Sequence, residues 1–162
     1  MVGDMYKRID YIQQTFAGVE TITEFGPFQG CSTAAWLSLR PKKFVTVDQG
    51  VWLDIDLYKK AAEEIGVDFE FKIGNDIEID IDPCDLLFID TMHTQEHTYQ
   101  ELKRHANKVK KFLVFHDVNP KRFNTLAGIE QWRQENAGWQ TYYVDYDDCG
   151  FMVLEKMLEE KI

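Results

Sequence analysis

Short apolar runs alternate along the chain with segments in which apolar residues recur every three or four positions. The short runs predict buried β-strands, and the helical spacing predicts amphipathic helices between them. The predicted strands are 21–25, 44–47, 68–73, 85–89, 112–115, 139–144 and 150–154. The predicted helices lie near the amino terminus and around 31–39, 57–65, 99–109 and 126–136. This alternation predicts an α/β sandwich built on a doubly wound, mostly parallel sheet.

The same pattern predicts the domain organisation. No repeat, low-complexity tract or internal linker interrupts the 162 residues, a length typical of one domain. We therefore expect a single domain over 1–162, with an N-terminal helix over 1–18, a sheet core over 19–156 and a tail over 157–162.

The stretch after the first predicted strand carries the strongest functional signal. The strand ends in Glu24, a loop opens at Gly26 and closes at Gly30, and a helix begins near Ser32. The second strand ends in another acid, Asp48. This order is typical of the first βαβ unit of a doubly wound sheet, where glycines let the backbone approach a ligand and the second acid binds a ribose hydroxyl. The unit therefore predicts a nucleoside-containing ligand.

The charge around this loop distinguishes between nucleoside ligands. A dinucleotide brings a pyrophosphate and usually meets Gly-x-Gly-x-x-Gly at a helix N-terminus. Here the spacing is Gly-x-x-x-Gly, Phe28 stands between the glycines, no Lys or Arg occurs from 20 to 38, and Glu24 adds a negative charge. This environment disfavours phosphates and favours a cation such as S-adenosylmethionine, which carries a sulfonium and an ammonium group.

The acid-x-Gly-x-x-x-Gly loop resembles the first motif of the class I S-adenosylmethionine-dependent methyltransferases. The resemblance implies a three-layer Rossmann-like methyltransferase fold, with a doubly wound seven-stranded sheet whose last strand runs antiparallel. The turn 145–150 suits the final hairpin that this topology needs. The resemblance also implies S-adenosylmethionine as cofactor, with the methionine part at Gly26, Phe28, Gly30 and Ser32, the ribose at Asp48, the adenine near Asn75 and Asp76, and further contacts at Glu24 and Asp90.

A second set of polar residues follows the fourth and fifth predicted strands. Asp90 and His93 come after the fourth strand, and His116 and Asp117 come after the fifth. Adjacent parallel strands present their carboxyl ends to the same crevice, so we expect these four side chains to meet beside the nucleoside ligand. They could deprotonate an acceptor hydroxyl, hold a divalent metal that lowers the pKa of the hydroxyl, or anchor the backbone and the sulfonium by hydrogen bonds.

This arrangement resembles the O-methyltransferase branch of the superfamily, which includes catechol-type enzymes and the sugar and natural-product enzymes grouped with cephalosporin-hydroxylase-like proteins. The resemblance implies a divalent metal (manganese, magnesium or iron) held by Asp90, His116 and Asp117. Those enzymes place an oxygen ligand where His116 stands, and imidazole suits manganese, iron or zinc better than magnesium. His93 has no counterpart in the catechol pattern. We expect it to be the catalytic base, with Asp90 as the other candidate, because histidine accepts a proton near neutral pH.

The composition of the chain limits the kinds of partner and the compartment that we expect for this protein. Lys and Arg number 18 against 28 Asp and Glu, a formal net charge of −10, which disfavours nucleic acid as a partner. No stretch has the length and hydropathy of a membrane span. Three widely spaced cysteines without a Cys-x-x-Cys pair indicate a reduced, cytoplasmic protein. No inserted lid is evident, so the acceptor pocket is either open or completed by another subunit of a homo-oligomer.

The leading hypothesis is an S-adenosylmethionine-dependent methyltransferase acting on a hydroxyl of a small molecule or sugar, with metal assistance as one alternative. An NAD(P)-dependent oxidoreductase is the second hypothesis, although the missing middle glycine and the anionic loop count against it. A non-catalytic nucleoside-binding module is the third, favoured by the short length and opposed by the Asp/His cluster. His97 and His105, on the helix after the fourth strand, are assigned structural or surface roles.

Overall fold

A computed structural model describes residues 4–158, and seven strands and five α-helices alternate through that range. The strands are β1 (Thr21–Phe25), β2 (Lys43–Asp48), β3 (Asp68–Ile73), β4 (Cys84–Ile89), β5 (Val109–His116), β6 (Trp139–Asp145) and β7 (Phe151–Lys156). The helices are α1 (Ile9–Thr15), α2 (Cys31–Leu37), α3 (Ile55–Glu64), α4 (Gln95–His105) and α5 (Thr125–Glu135). Short 3₁₀ segments precede α1 (Asp4–Arg8) and follow α4 (Ala106–Lys108).

The strands form one sheet in the order β3-β2-β1-β4-β5-β7-β6. The pairs β1–β2, β1–β4, β2–β3 and β4–β5 are parallel, whereas β7 runs antiparallel to both β5 and β6. This confirms the predicted doubly wound, seven-stranded sheet with an antiparallel last strand. The chain turns to one side of the sheet after β1 and to the other after β4, so the crevice of the topological switch point lies at the carboxyl ends of these two strands.

Each face of the sheet is covered by helices, which makes three layers. Every residue of β4 is buried, as its unbroken apolar run predicts. Leu86 and Phe88 face the core formed with α1, α2 and α3, where Trp36 is fully buried. Leu87 and Ile89 face the core formed with α4 and α5.

The structure corrects some predicted bounds. Val109, expected on the helix after β4, is the first residue of β5 and pairs with Cys84. The polar pair Lys110 and Lys111 breaks the apolar pattern there, because these side chains are exposed at the amino end of the strand. Of the predicted N-terminal helix, 1–18, the described residues place α1 at Ile9–Thr15; residues 1–3 and, in the predicted tail, 159–162 lie outside the described range. Within 4–158, no helix is long and apolar enough to cross a membrane.

Candidate active site

A cleft of about 1040 Å³ runs along the carboxyl ends of the parallel strands and crosses the switch point between β1 and β4. Its volume is near the upper limit of the roughly 300–1,000 Å³ typical of small-molecule sites. One end is formed by residues after β2 and β3, and the other by residues after β4 and β5. Among the predicted site residues, the lining includes Gly26, Phe28, Asp48, Asp76, Asp90, His93, His116 and Asp117.

The two glycines of the loop after β1 make room for protein atoms. A Cβ on Gly26, whose φ is +81°, would lie 2.0 Å from the carbonyl oxygen of Asp90. A Cβ on Gly30 would lie 2.3 Å from the hydroxyl of Tyr58, which donates a hydrogen bond of 2.7 Å to the Gly30 carbonyl. Gly26 lines the cleft and Gly30 does not. Contacts with protein atoms therefore require glycine at both positions, and Gly26 alone of the two also lines the cleft.

Glu24 lies under the first turn of α2, away from the cleft. It is fully buried and accepts hydrogen bonds from the hydroxyls of Ser32 (2.5 Å) and Thr33 (2.8 Å). Burial raises the pKa of Glu24 to about 7 although these hydroxyls act in the opposite direction. Glu24 and Ser32 thus fix α2 to β1, and neither lines the cleft, so their expected contacts with the cofactor stay predictions.

This burial predicts a pH-dependent stability. The folded state raises the Glu24 pKa from its ordinary 4.5 to about 7, so the folded protein holds the proton more tightly than the unfolded chain. The contribution of Glu24 to stability is therefore largest below pH 4.5, and it falls by about 3 kcal/mol as the pH rises to 7. Glu24→Gln removes this dependence, because an amide does not ionise.

Urea unfolding of wild type and Glu24→Gln at several pH values measures the effect. The stability of wild type relative to the variant should fall by about 3 kcal/mol between pH 4.5 and 7. Glu20→Gln, the same change on an exposed acid, is the matched control and should show no such trend. A difference between wild type and Glu24→Gln that is constant with pH would contradict the buried, uncharged form of Glu24.

Of the residues near the expected adenosine site, some present their side chains to the cleft, whereas others are held by protein groups. Asp48 ends β2 and lines the cleft, where its Oδ1 accepts a hydrogen bond of 3.3 Å from the Gly50 amide. Trp52 lies at the same end with 62% of its surface exposed. Asn75 does not line the cleft, because its Oδ1 caps the turn by accepting from the Ile77 amide at 2.9 Å. Asp76 lines the cleft, but its carboxylate contacts His97.

At the other end of the cleft, the structure brings the four predicted acid and histidine residues together. The Nε2 atom of His93 lies 2.6 Å from Asp117 Oδ2 and 3.4 Å from Asp90 Oδ1. The Nδ1 atom of His116 lies 3.1 Å from Asp117 Oδ1 and 3.5 Å from Asp90 Oδ2. Asp117 has a left-handed backbone, with φ of +57°, immediately after β5. Such a conformation outside glycine is uncommon and accumulates at functional sites.

The charge that the structure favours on His93 differs from the neutral imidazole expected of a catalytic base. Burial by itself lowers the pKa of His93, but the hydrogen bonds and charges of Asp117 and Asp90 outweigh it and raise the pKa to about 9. Burial likewise acts to raise the pKa of Asp117, yet its contacts with His116 and His93 hold it well below the usual range. The two carboxylates therefore favour the charged imidazolium form of His93. His93 can act as a base only after losing this proton, because two carboxylates stabilise the charged form.

The predicted metal ligands, Asp90, His116 and Asp117, are divided between two overlapping groups of potential ligand atoms. Ligand atoms of Asp90, His93 and Asp117 lie within 4.8 Å of one another, and those of His116, Asp117 and Cys149 do so as well. Mixed carboxylate and imidazole donors, with a thiol nearby, suit manganese, iron or zinc better than magnesium. A metal held there would lower the pKa of an acceptor hydroxyl.

Several cleft residues were not predicted from the sequence. Arg122 and Phe123 follow Asp117 closely in the chain, and the Arg122 guanidinium lies 5.2 Å from the centre of the Phe123 ring. Asp148 and Cys149 come from the β6–β7 hairpin loop, which the pairing of β7 with β5 brings to the cleft. His97, which was assigned a structural or surface role, also lines the cleft. Its position on the first turn of α4, just after the Asp90–His93 segment, was the available signal.

Comparisons with known proteins agree with this geometry at the level of the fold. No family model matches the sequence, and none of the curated proteins matches it. Solved structures do match over nearly the whole chain. One is magnesium protoporphyrin IX methyltransferase from Synechocystis PCC 6803 with bound S-adenosylmethionine, with a TM-score of 0.71, 11% identity, and coverage of 94% of this chain and 79% of that chain.

Two further structures show the same similarity. The N-methyltransferase NodS from Bradyrhizobium japonicum WM9, in complex with S-adenosyl-L-homocysteine, has a TM-score of 0.70 and 9% identity, covering 94% of this chain and 86% of that chain. A proposed caffeoyl-CoA O-methyltransferase from Staphylococcus aureus has a TM-score of 0.65 and 16% identity, covering 96% and 85%. At identities of 9–16% the similarity is one of fold, and the described part of this chain therefore has the Rossmann-like fold of solved methyltransferase structures.

Proposed function

We propose that the protein is an S-adenosylmethionine-dependent methyltransferase that acts on a hydroxyl group of a small molecule or sugar. The observation that carries the proposal is one continuous cleft with Asp48 at one end and the acid and imidazole cluster of Asp90, His93, His116 and Asp117 at the other. The cleft lies where doubly wound folds bind nucleoside ligands. Two of the solved structures with this fold contain S-adenosylmethionine or S-adenosyl-L-homocysteine.

The charge distribution of the cleft supports a cationic ligand. No Lys or Arg occurs from 20 to 38, and the cleft cations Lys7 and Arg122 come from other segments. In the proposed complex, the Asp48 carboxylate accepts from the ribose hydroxyls and Trp52 covers the adenine. Gly26 and Phe28 line the path to the acid and imidazole cluster, where the sulfonium and the acceptor meet.

Positioning supplies most of the rate enhancement in this proposal. When bound, S-adenosylmethionine supplies an activated methyl group, which passes to the acceptor oxygen while the electron pair of the broken bond stays on sulfur. Asp90, His93 and Asp117 orient the acceptor hydroxyl, and His93, once it has released its own proton, takes up the proton of the hydroxyl. A divalent metal held by Asp90, His116 and Asp117 would acidify that hydroxyl. Oxygen is preferred to nitrogen as the acceptor atom because the cluster is built from proton-accepting and metal-binding groups.

The cleft is open in the described residues, and exposed apolar side chains lie along its rim. Phe28, Trp52 and Met92 are each 58–62% exposed. The acceptor, or a second subunit of a homo-oligomer, would cover these side chains in the working complex.

The open cleft is also the specific observation in favour of a second candidate function, a non-catalytic nucleoside-binding module. The acid and imidazole cluster opposes that function, because burying such groups is costly without a role.

Ligand binding tests the proposal directly. Thermal unfolding is measured with S-adenosylmethionine, S-adenosyl-L-homocysteine, NAD and NADP. A methionine cofactor at 100 times its Kd adds about 2.7 kcal/mol of stability, which corresponds to roughly 5–10 °C for a domain of this size. Stabilisation by NAD or NADP alone would support the oxidoreductase and overturn the proposal. Release of S-adenosyl-L-homocysteine with a panel of sugars, catechols and other hydroxyl compounds, with and without manganese, then separates the enzyme from the binding module.

A further inference from the structure

A second group of potential ligand atoms lies beside the cleft, between the loop after β3 and helix α4. We name Asp76, His97 and Glu101 the α4 triad. His97 and Glu101 are four residues apart on α4 and therefore project from the same face of the helix. Asp76 reaches them from the loop after β3, and all three offer ligand atoms within 4.8 Å of one another.

The α4 triad is more deeply buried than the cluster of the proposed active site. Glu101 is 0% exposed and Asp76 is 5% exposed. The Nε2 atom of His97 lies 2.5 Å from Asp76 Oδ2 and 3.8 Å from Glu101 Oε1, so it can contact both acids. Thr91 donates a hydrogen bond of 2.7 Å to Glu101 Oε1, which orients the carboxylate. The other oxygen, Glu101 Oε2, is buried and has no hydrogen-bond partner within residues 4–158.

Asp76 and Glu101 of the α4 triad are two acids that share one buried site beside His97. Burial, and then the contact with Asp76, raises the pKa of Glu101 well above its usual range. In the described part of the chain, no Lys or Arg forms an ion pair with either acid; both are paired with His97. Two carboxylates that share a buried site cannot both stay ionised without a cation between them. A proton shared by Asp76 and Glu101, with His97 paired to Asp76, is the alternative to a metal ion, and metal titration distinguishes the two.

We propose that Asp76, His97 and Glu101 bind a divalent transition metal. One imidazole and two carboxylates form a donor set typical of zinc, manganese and iron sites with three protein ligands, and Thr91 orients one of the carboxylates. Asp76 and His97 line the cleft, which gives the ion an access route and a place for a water ligand. The ion would tie the loop after β3 to α4, and so fix one end of the cleft. This proposal does not depend on the methyltransferase function.

Metal titration of the intact, metal-stripped protein tests the site, with cobalt as the spectroscopic probe and zinc as the competitor. Asp117→Asn disables the cluster of the proposed active site and should still bind one equivalent of cobalt, with visible absorption. In that background Glu101→Gln should weaken binding about 100-fold or more, since even outer-shell partners contribute 10–100-fold. Glu96→Gln, which changes an exposed acid on the same helix, should leave the affinity unchanged.

A magnetic resonance measurement keeps the test independent of how the Glu101→Gln variant folds. In the Asp117→Asn protein, zinc should shift the ¹⁵N resonance of His97 Nε2 and hold the ring in a single tautomer. An unchanged His97 resonance at saturating zinc overturns the proposal, as does unchanged affinity in folded Glu101→Gln. Loss of all metal binding in folded Asp117→Asn also overturns it, since that result assigns the only ion to the other cluster.

Discussion

Replacing Asp48 with alanine is expected to lower the affinity for S-adenosylmethionine by about 100-fold or more. The proposed complex directs two ribose hydroxyls at this carboxylate, and hydrogen bonds to charged groups contribute about 1.5–3 kcal/mol each. Their loss corresponds to roughly two to four powers of ten in Kd. The carboxylate is positioned before binding, because it ends β2 and accepts from the Gly50 amide. Isothermal titration calorimetry of both proteins measures the change.

Two variants serve as controls for this measurement. Asp56→Ala removes the same charge from an exposed position on α3 and should keep the wild-type Kd. His93→Ala changes the other end of the cleft and should also keep the Kd for the cofactor. If His93 orients the acceptor hydroxyl or takes up its proton, the variant should transfer the methyl group about 10²–10⁴-fold more slowly. Wild-type cofactor affinity in Asp48→Ala would disprove the ribose contact and, with it, the proposed orientation of the cofactor.

The parts of the fold that depend on neighbouring residues in the chain could be predicted from the sequence. The observed bounds of β1 and β3 equal the predicted ones, because each strand is a short run ended by a turn. The meeting of Asp90 and Asp117 was also predictable, since both follow adjacent parallel strands whose carboxyl ends share one edge. The predicted alternation of strands and helices was enough to derive both the strand bounds and the meeting of these two acids.

The face on which a strand residue lies was harder to predict. Glu24 ends an apolar run and precedes the loop, so the sequence indicated a residue beside the ligand. In the structure it pairs with Phe88 and lies on the same face of the sheet as Ile22, beneath α2. The sequence gives the two-residue period of a strand, but it does not say which of the two faces the following helix will cover.

Contacts that depend on the path of a loop, rather than on the ends of adjacent strands, could not be predicted. His97 meets Asp76 only because the loop after β3 passes beside the first turns of α4. Cys149 reaches the cleft because β7 inserts between β5 and β6, which places the hairpin loop over the end of β5. Neither arrangement leaves a local pattern in the sequence. The metal proposal for the α4 triad therefore required the structure, whereas the proposed active site did not.

Gly26→Ala is expected to destabilise the protein by about 3 kcal/mol or more. A left-handed backbone costs a non-glycine residue about 1–2 kcal/mol, and overpacking against fixed atoms adds about 1–3 kcal/mol. The new Cβ would lie 2.0 Å from the carbonyl oxygen of Asp90 and 2.8 Å from its carbonyl carbon. These are backbone atoms, so no side-chain rotation relieves the contact. The backbone is also held on both sides, since the Gly26 amide donates to Val47 and the Asp90 amide donates to Phe25, each at 3.0 Å.

Gly18→Ala separates the cost of a left-handed backbone from the cost of overpacking at Gly26. Gly18 has nearly the same φ, +83°, but a Cβ there would meet nothing within 4 Å, so only the cost of about 1–2 kcal/mol should remain. Urea unfolding of wild type and both variants measures the difference, which should be about 2 kcal/mol at equal m values. Equal destabilisation by the two variants would show that β1 and β4 do not approach as closely as described. The new Cβ at position 26 should also displace Asp90. Gly26→Ala is therefore expected to weaken the binding of ligands and metals in the cleft as well as to destabilise the fold.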